Sequence, residues 1–175
     1  MLGVATLVYA VMAAIGVLGM DALGVEPFGD AGLRGALAGA AAGVALAAVV
    51  VLGTRGMAAR WAWARALALD LGPAARSLPA WAVVATALAS GVAEELFFRG
   101  MLVSLVGVVP AALAFGLLHQ VRGRSRWVWA GFAASMGLVL GGLFVATGSL
   151  LGPIIAHVSI NFLNLRWLRA HVTSS

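Results

Sequence analysis

Long apolar stretches separated by short polar breaks are the feature that most limits what this chain can fold into. The 175-residue sequence is 63% hydrophobic and 10% charged, with a mean hydropathy of +1.06. About 20 apolar residues in a helix cross the hydrocarbon core of a bilayer, and such stretches recur along the whole chain. The composition excludes a water-soluble globular domain. We therefore predict one all-α domain, residues 1–175, that forms a polytopic transmembrane helical bundle.

We predict six membrane-spanning helices joined by short connections. The first one lacks the basic start and the cleavage signature of a signal peptide, so we interpret it as a retained helix. The predicted spans cover residues 2–20, 35–53, 80–104, 107–121, 127–147 and 150–168.

The distribution of charge predicts the orientation of the bundle. All 11 basic residues are arginine, and they concentrate in the connections 54–79 and 122–126 and near the C-terminus. The connection 21–34 is mainly acidic, and the remaining turns carry no charge. Basic and non-basic connections thus alternate, and under the positive-inside rule both termini are predicted to be cytoplasmic.

Several functional classes are excluded by composition. The chain contains no cysteine, which rules out disulfides, thiolate catalysis and cysteine-ligated metal. Its arginines lie at the ends of apolar runs and form no basic stripe, so we predict the lipid bilayer and not nucleic acid as a partner. The Ala, Gly, Val and Arg bias is typical of a GC-rich prokaryotic genome, which suggests an inner-membrane location.

Two further patterns concern packing. Residues 57–71 mix tryptophan with spaced arginines, which fits either a helix in the headgroup region or a basic linker. Small residues at helical spacing predict close helix–helix contact, mainly within the chain. They are Gly35, Gly39 and Gly43 in the second span and Gly137 and Gly141 in the fifth.

Ionisable and amide side chains within the predicted spans carry the functional signal. A charged group at the centre of a membrane helix costs about 2.5–3.5 kcal/mol even on the lenient insertion scale, so such groups are retained when they are paired or useful. At about 1.5 Å rise per residue, the helices bring these groups to a common depth. These ionisable and amide side chains are Glu94, Glu95 and Arg99 on the third helix, His119 on the fourth, and His157 and Asn161 on the sixth.

The spacing within each helix suggests separate roles. Glu95 and Arg99 are four residues apart with the acid first, the favourable order for an ion pair on one helix face. That pair can neutralise itself, and Glu94, rotated by about 100°, is left to face another helix. His157 and Asn161 are also four residues apart and can face one target.

These motifs resemble those of a known family. Glu94-Glu95-x-x-x-Arg99, Phe115-x-x-x-His119 and His157-x-x-x-Asn161 occur in this order on successive apolar helices. This pattern resembles the CAAX-protease and bacteriocin-processing family, also called the Abi family, which includes the type II CAAX prenyl endopeptidases. The resemblance covers residues 80–168, the predicted catalytic core. The first two helices carry no family motif, and the chain is shorter than the prenyl endopeptidases.

The resemblance implies hydrolysis of a peptide bond inside the membrane. Glu94, assisted by His119, would activate a water molecule, because a desolvated carboxylate beside an imidazole can act as a general base. His157 and Asn161 would donate hydrogen bonds to the tetrahedral oxyanion. The Glu95–Arg99 pair would orient the site. The implied substrate is a membrane-associated protein or peptide cleaved in a C-terminal tail, a sorting signal or a leader.

Alternatives remain open at this stage. Glu94, His119 and His157 form a two-histidine, one-carboxylate set of the kind found in catalytic zinc sites, although no His-x-x-x-His pair is present and we favour a site without a cofactor. A non-catalytic membrane protein of the same fold that binds a peptide or confers immunity is the second hypothesis. A proton-coupled carrier is a third, and it is weakened by the absence of inverted repeats. The sequence does not determine the oligomeric state.

Overall fold

The computed structural model describes residues 2–27, 32–121 and 123–171. Residues 28–31 of the acidic connection and Arg122 of the basic turn, which enter the predicted topology, lie outside the described residues. The described residues form helices and no strand, which confirms the all-α prediction. The helices are α1 (Leu2–Leu23), α2 (Gly32–Arg60), α3 (Ala62–Ser77), α4 (Ala80–Val106), α5 (Val108–Leu118), α6 (Arg126–Thr147) and α7 (Leu151–His171).

Four of the described helices, α1, α2, α4 and α6, are long and apolar enough to cross a membrane. α5 is apolar but has 11 residues, which corresponds to about 16 Å, about half of the hydrocarbon core. α7 has 21 residues but carries His157, Asn161 and Arg166 among its apolar positions. Four candidate spans are therefore present in the described part of the chain, and the count of six stays a prediction.

The connection predicted at 54–79 is helical for most of its length. α2 continues to Arg60, and α3 begins after Trp61, whose backbone is extended. The Arg65 side chain donates to carbonyl groups in the last turn of α2 at 3.1 and 3.4 Å, as basic side chains often do at helix C-termini. The interpretation of this region as a linker is therefore wrong. A helix is present, but at Ala62–Ser77 and not at 57–71.

α3 packs along the C-terminal half of α7. The residues on its buried face follow the spacing of one helical stripe, because alanines and glycine recur every three or four positions. Ala68 and Ala75 contact Leu168 in a small core cluster. On the same helix, the carboxylate of Asp70 accepts a hydrogen bond from the backbone N–H of Ser125 at 3.1 Å. α3 thus anchors the segment that leads from α5 into α6.

Glycines set the close contacts between helices. α2 crosses α7 where Gly43 meets Gly152, and a β-carbon on Gly43 would stand 3.1 Å from the Cα of Gly152. In the same way Gly137 of α6 lies against Ala112 of α5. The prediction that these small-residue faces serve packing within the chain is confirmed for Gly39, Gly43, Gly137 and Gly141.

α7 lies at the centre of the described bundle. It packs against α2, α3, α4 and α6, and most of its first 15 residues are buried or half-buried. Because each face of α7 meets a different helix, polar side chains on it can be covered by protein. This arrangement accommodates a helix whose composition is less apolar than that of its neighbours.

α5 ends at Leu118, three residues earlier than predicted. Its last four carbonyl groups, 115–118, all accept hydrogen bonds from the next two residues. The backbone and ring nitrogens of His119 supply two of these bonds, and the backbone and side-chain nitrogens of Gln120 supply the other two. The helix can therefore stop at membrane depth without unsatisfied carbonyl groups. This ending fixes the position of His119.

The α2–α7 contact predicts a position-specific effect of adding one methyl group. We expect Gly43→Ala to lower the free energy of unfolding by about 1–3 kcal/mol, because the new β-carbon would overlap the backbone of Gly152, which cannot rotate away. Gly53→Ala, in the same helix, is the control, since a β-carbon at Gly53 meets open space. Thermal unfolding of the detergent-solubilised protein measures both. Equal stability of the two variants would contradict the α2–α7 packing.

Candidate active site

Two consecutive glutamates lie where α4 changes from α-helical to π-helical geometry. Residues Ala80–Glu94 are α-helical, and Glu95–Leu102 form a π-helical segment. A π-turn closes i→i+5 hydrogen bonds and so holds more residues than an α-turn, which reduces the angle between neighbouring side chains. Both carboxylates are buried, and both reach His157 of α7. Such π segments inside α-helices are frequent at functional sites.

Glu95 is shared by two basic partners. Its Oε1 atom accepts a hydrogen bond from Nη1 of Arg99 at 2.9 Å and lies 2.6 Å from Nδ1 of His157. The side chains of Glu95 and Arg99 are 0% and 1% exposed. The predicted ion pair is therefore present. It is not self-contained, because it also holds the histidine of another helix.

Glu94 faces both histidines. Its Oε2 atom lies 3.5 Å from Nε2 of His119 and 3.7 Å from Nε2 of His157. In the described part of the chain this buried oxygen has no hydrogen-bond partner. Residues of three helices, α4, α5 and α7, which the sequence analysis expects at one depth, thus surround a single carboxylate oxygen.

The hydrogen-bond partners of the two histidines fix which ring nitrogen carries a proton. Nδ1 of His119 lies 2.8 Å from the carbonyl oxygen of Phe115, which can only accept. Nδ1 of His157 lies 2.6 Å from Oε1 of Glu95, an oxygen that also accepts from Arg99. Both Nδ1 atoms therefore donate. Each Nε2 atom presents a lone pair when its ring is neutral and an N–H when its ring is charged.

Charge balance limits the protonation of the cluster. Two carboxylates and one guanidinium leave one net negative charge when both histidines are neutral. An uncompensated charge at membrane depth is costly, and one additional proton would remove it. Glu94 Oε2 and the two Nε2 atoms are the positions that this proton can occupy. Glu94 Oε2 lies within 3.7 Å of both of these nitrogens.

Phe115 forms the wall between these groups. Its ring lies under the guanidinium of Arg99 at 4.4 Å, a cation–π distance, and meets the ring of His119 at 4.2 Å. Edge contacts to Phe98 and His157 complete its surroundings. The rings of Phe115 and His119, one helical turn apart in sequence, are tilted by 38° to each other. The ring limits access of water to the Arg99 side of the cluster.

Asn161 lies one turn after His157 but has a partner that the sequence analysis did not identify. Its Nδ2 atom donates to the hydroxyl of Ser90 at 3.0 Å. Ser90 is buried one turn before Glu94 on α4. From α1, Tyr9 approaches both Ser90 and Glu94. Ser90 and Tyr9 are hard to identify from the sequence. A serine four residues before a glutamate is common, and so is a single tyrosine in an apolar helix.

The described residues do not provide an evident metal centre. Among them, no group of three His, Cys, Asp or Glu side chains is arranged to hold a metal ion. The Nδ1 atoms of both histidines are engaged by protein acceptors, so Nε2 is the available donor on each ring.

Comparisons with known proteins find similarity over about half of the chain. Residues 76–163, half of the chain, match the family model described as type II CAAX prenyl endopeptidase Rce1-like. An uncharacterized protein, YpbD of Bacillus subtilis (strain 168), is 34% identical over 86 residues, which cover 49% of this chain and 44% of that protein. The chain thus matches less than half the length of this relative. No solved structure matches the chain significantly.

Proposed function

Because the chain belongs to the type II CAAX prenyl endopeptidase Rce1-like family, we propose that it is an intramembrane endopeptidase of the glutamic type. Its substrate class is a membrane-associated protein or peptide, cleaved in a C-terminal tail, a sorting signal or a leader. The single observation that carries the proposal is the position of Glu94 Oε2, a buried carboxylate oxygen with the Nε2 atoms of His119 and His157 at 3.5 and 3.7 Å.

Glu94 is the proposed general base. A water molecule beside Glu94 Oε2 loses a proton to this oxygen as its own oxygen bonds to the carbonyl carbon of the scissile peptide. His119 assists, because a neutral ring presents its Nε2 lone pair on the same side. General-base catalysis of this kind contributes about 10²–10⁴ in rate.

His157 and Asn161 are the proposed oxyanion donors. With the additional proton on Nε2, His157 is an imidazolium stabilised by Glu95 at its other nitrogen, and it can donate to the negative oxygen. The amide of Asn161 has two N–H groups, of which one is bonded to Ser90. The second N–H remains for the substrate. Loss of one such donor in other enzymes costs about 10²–10³ in kcat.

The proton taken up by Glu94 completes the reaction. It passes to the amide nitrogen of the tetrahedral intermediate, the C–N bond breaks, and an amine and a carboxylic acid are released. Glu95 and Arg99 are proposed as positioning residues, because they touch His157 and Phe115 and not the unpartnered oxygen of Glu94.

Glu94→Gln tests the assignment of the base. We expect the variant to retain the wild-type unfolding temperature and to lose peptide cleavage by at least about 10²-fold, because an amide cannot accept the proton of water. The measurement is a comparison of new N- and C-termini among the membrane proteins of cells that express each form. Glu26→Gln, an exposed change outside the cluster, is the matched control.

The outcome also separates the enzyme from a peptide-binding protein. A binding or immunity protein would keep its biological effect in Glu94→Gln, and no terminus would depend on Glu94. That result would contradict the proposed reaction.

We propose that catalysis needs no metal. The support is the absence of a three-residue metal-binding group among the described side chains. We expect o-phenanthroline and EDTA to leave cleavage unchanged, and metal analysis of the active protein to find less than about one zinc per ten chains, since a stoichiometric catalytic site would bind one per chain. Activity that is lost on chelation and restored by added zinc would contradict this.

We further propose six spans with both termini in the cytoplasm, in a prokaryotic inner membrane. The arginine distribution supports the orientation, and α5 and α7 would complete the six spans with the four long apolar helices.

The lack of cysteine makes this topology testable with single substitutions. In intact cells, a membrane-impermeant thiol reagent is expected to label Asp21→Cys, which lies on the proposed outer side. Ser77→Cys, on the proposed inner side, should be labelled only after the cells are opened. Both positions are exposed. The reverse pattern would invert the orientation.

A further inference from the structure

A second polar site lies at the end of the bundle where α2 approaches the last turns of α7. It is an open pocket of about 310 Å³, which is within the size range of ligand pockets. No acidic side chain is among the described residues that line it. Its walls are Arg55, Leu163, Arg166, Trp167, Ala170 and His171.

Among the residues that the structure describes, no carboxylate neutralises the positive charge in this pocket. Neither Arg55 nor Arg166 forms an ion pair with any described carboxylate. Arg55 makes one long hydrogen bond, from Nη2 to the carbonyl of Leu163 at 3.5 Å. Its Nε atom is buried and has no partner among the described residues. Because a buried donor without an acceptor is costly, the site favours a ligand with anionic oxygens.

His171 also lines the pocket. Its Nδ1 atom lies 3.2 Å from the carbonyl oxygen of Trp167, and its ring stacks on the indole at 5.8 Å. Because the carbonyl can only accept, Nδ1 carries a proton and Nε2 is the nitrogen that can respond to a ligand.

The pocket is separate from the candidate active site. Arg166 follows His157 by nine residues on the same helix, which corresponds to about 13 Å along the axis and to the opposite helix face. A peptide held at Glu94 would therefore have to pass around α7 to reach Arg55. This geometry argues against a subsite for the tail of the substrate.

We propose that this pocket binds the phosphodiester headgroup of an anionic phospholipid, in the cytoplasmic leaflet under the orientation proposed above. Guanidinium groups match phosphate oxygens in pairs, and basic pockets between membrane helices on the cytoplasmic side are typical headgroup sites. Trp167 in the wall is the residue type that lies at the level of the headgroups. The bound lipid would link α2 to α7, the helix that carries His157.

Lipid retention tests the proposal independently of peptidase activity. The full chain is placed in nanodiscs of phosphatidylcholine with a small fraction of phosphatidylglycerol, and the phosphatidylglycerol retained per chain is measured by native mass spectrometry after release. We expect the double variant Arg55→Gln/Arg166→Gln to lower the affinity by at least about tenfold, or about 1.4 kcal/mol. Arg169→Gln, on the same helix but outside the pocket wall, should retain the lipid.

A variant that fills the pocket with a larger side chain tests the proposal if the double variant does not fold. Ala170 is exposed at the pocket wall, so Ala170→Trp blocks the pocket and leaves every charge in place. We expect it to lower retention by a similar factor. Equal loss in Arg169→Gln would indicate a general effect of charge and overturn the proposal.

The same nanodisc preparations distinguish a lipid from two other ligands. Inorganic phosphate is tested in nanodiscs of pure phosphatidylcholine. If it binds with the same affinity as phosphatidylglycerol, the pocket is a site for a small anion. A peptide with a free C-terminus that binds through Arg55 and Arg166, while its amidated form does not, would indicate a peptide site. Either result would overturn the assignment to a lipid.

Discussion

The contact between Glu95, Arg99 and His157 is the interaction on which the rest of the site depends. It joins α4 to α7 through one carboxylate oxygen at 2.9 and 2.6 Å, with the ion pair almost fully buried. Breaking a buried pair by removing one partner typically costs about 3–5 kcal/mol, because a charge is left without compensation. Since the same contact holds a proton on Nδ1 of His157, it also determines which nitrogen faces Glu94. The same contact therefore joins α4 to α7 and sets which nitrogen of His157 carries a proton.

Two departures from regular helix geometry allow a second carboxylate, that of Glu94, to lie beside this contact. The π-helical segment Glu95–Leu102 lets consecutive glutamates reach the same histidine. The early end of α5, whose final carbonyls are bonded by His119 and Gln120, places the other histidine beside Glu94. Irregular backbone of this kind is tolerated at membrane depth where protein or a polar cavity covers it.

The two polar regions of the bundle have opposite electrostatic character. The cluster around Glu94 balances its own charge to within one proton and is enclosed by Phe115 and the neighbouring helices. The pocket at Arg55 and Arg166 keeps its positive charge open to the surface. A proton-exchanging site needs internal compensation, because each uncompensated charge at depth is costly. A site for an anionic headgroup needs the reverse, because the ligand supplies the neutralising charge.

The sequence by itself determined the all-α fold class and the charged and amide side chains that are candidates for the site. Apolar length predicts membrane helices, and rare polar groups at i and i+4 identify the Glu95–Arg99 pair and the three helices that meet. Only the tertiary structure decided that Glu95 also binds His157, that Asn161 pairs with Ser90, and that Tyr9 approaches from α1. It also decided between the two interpretations of 57–71, because a helix, α3, forms at Ala62–Ser77. Periodicity reports which residues share a face of one helix. Contacts between segments far apart in sequence decide the rest, namely the angle at a π-turn, the early end of a helix and the partner of a side chain across a helix crossing.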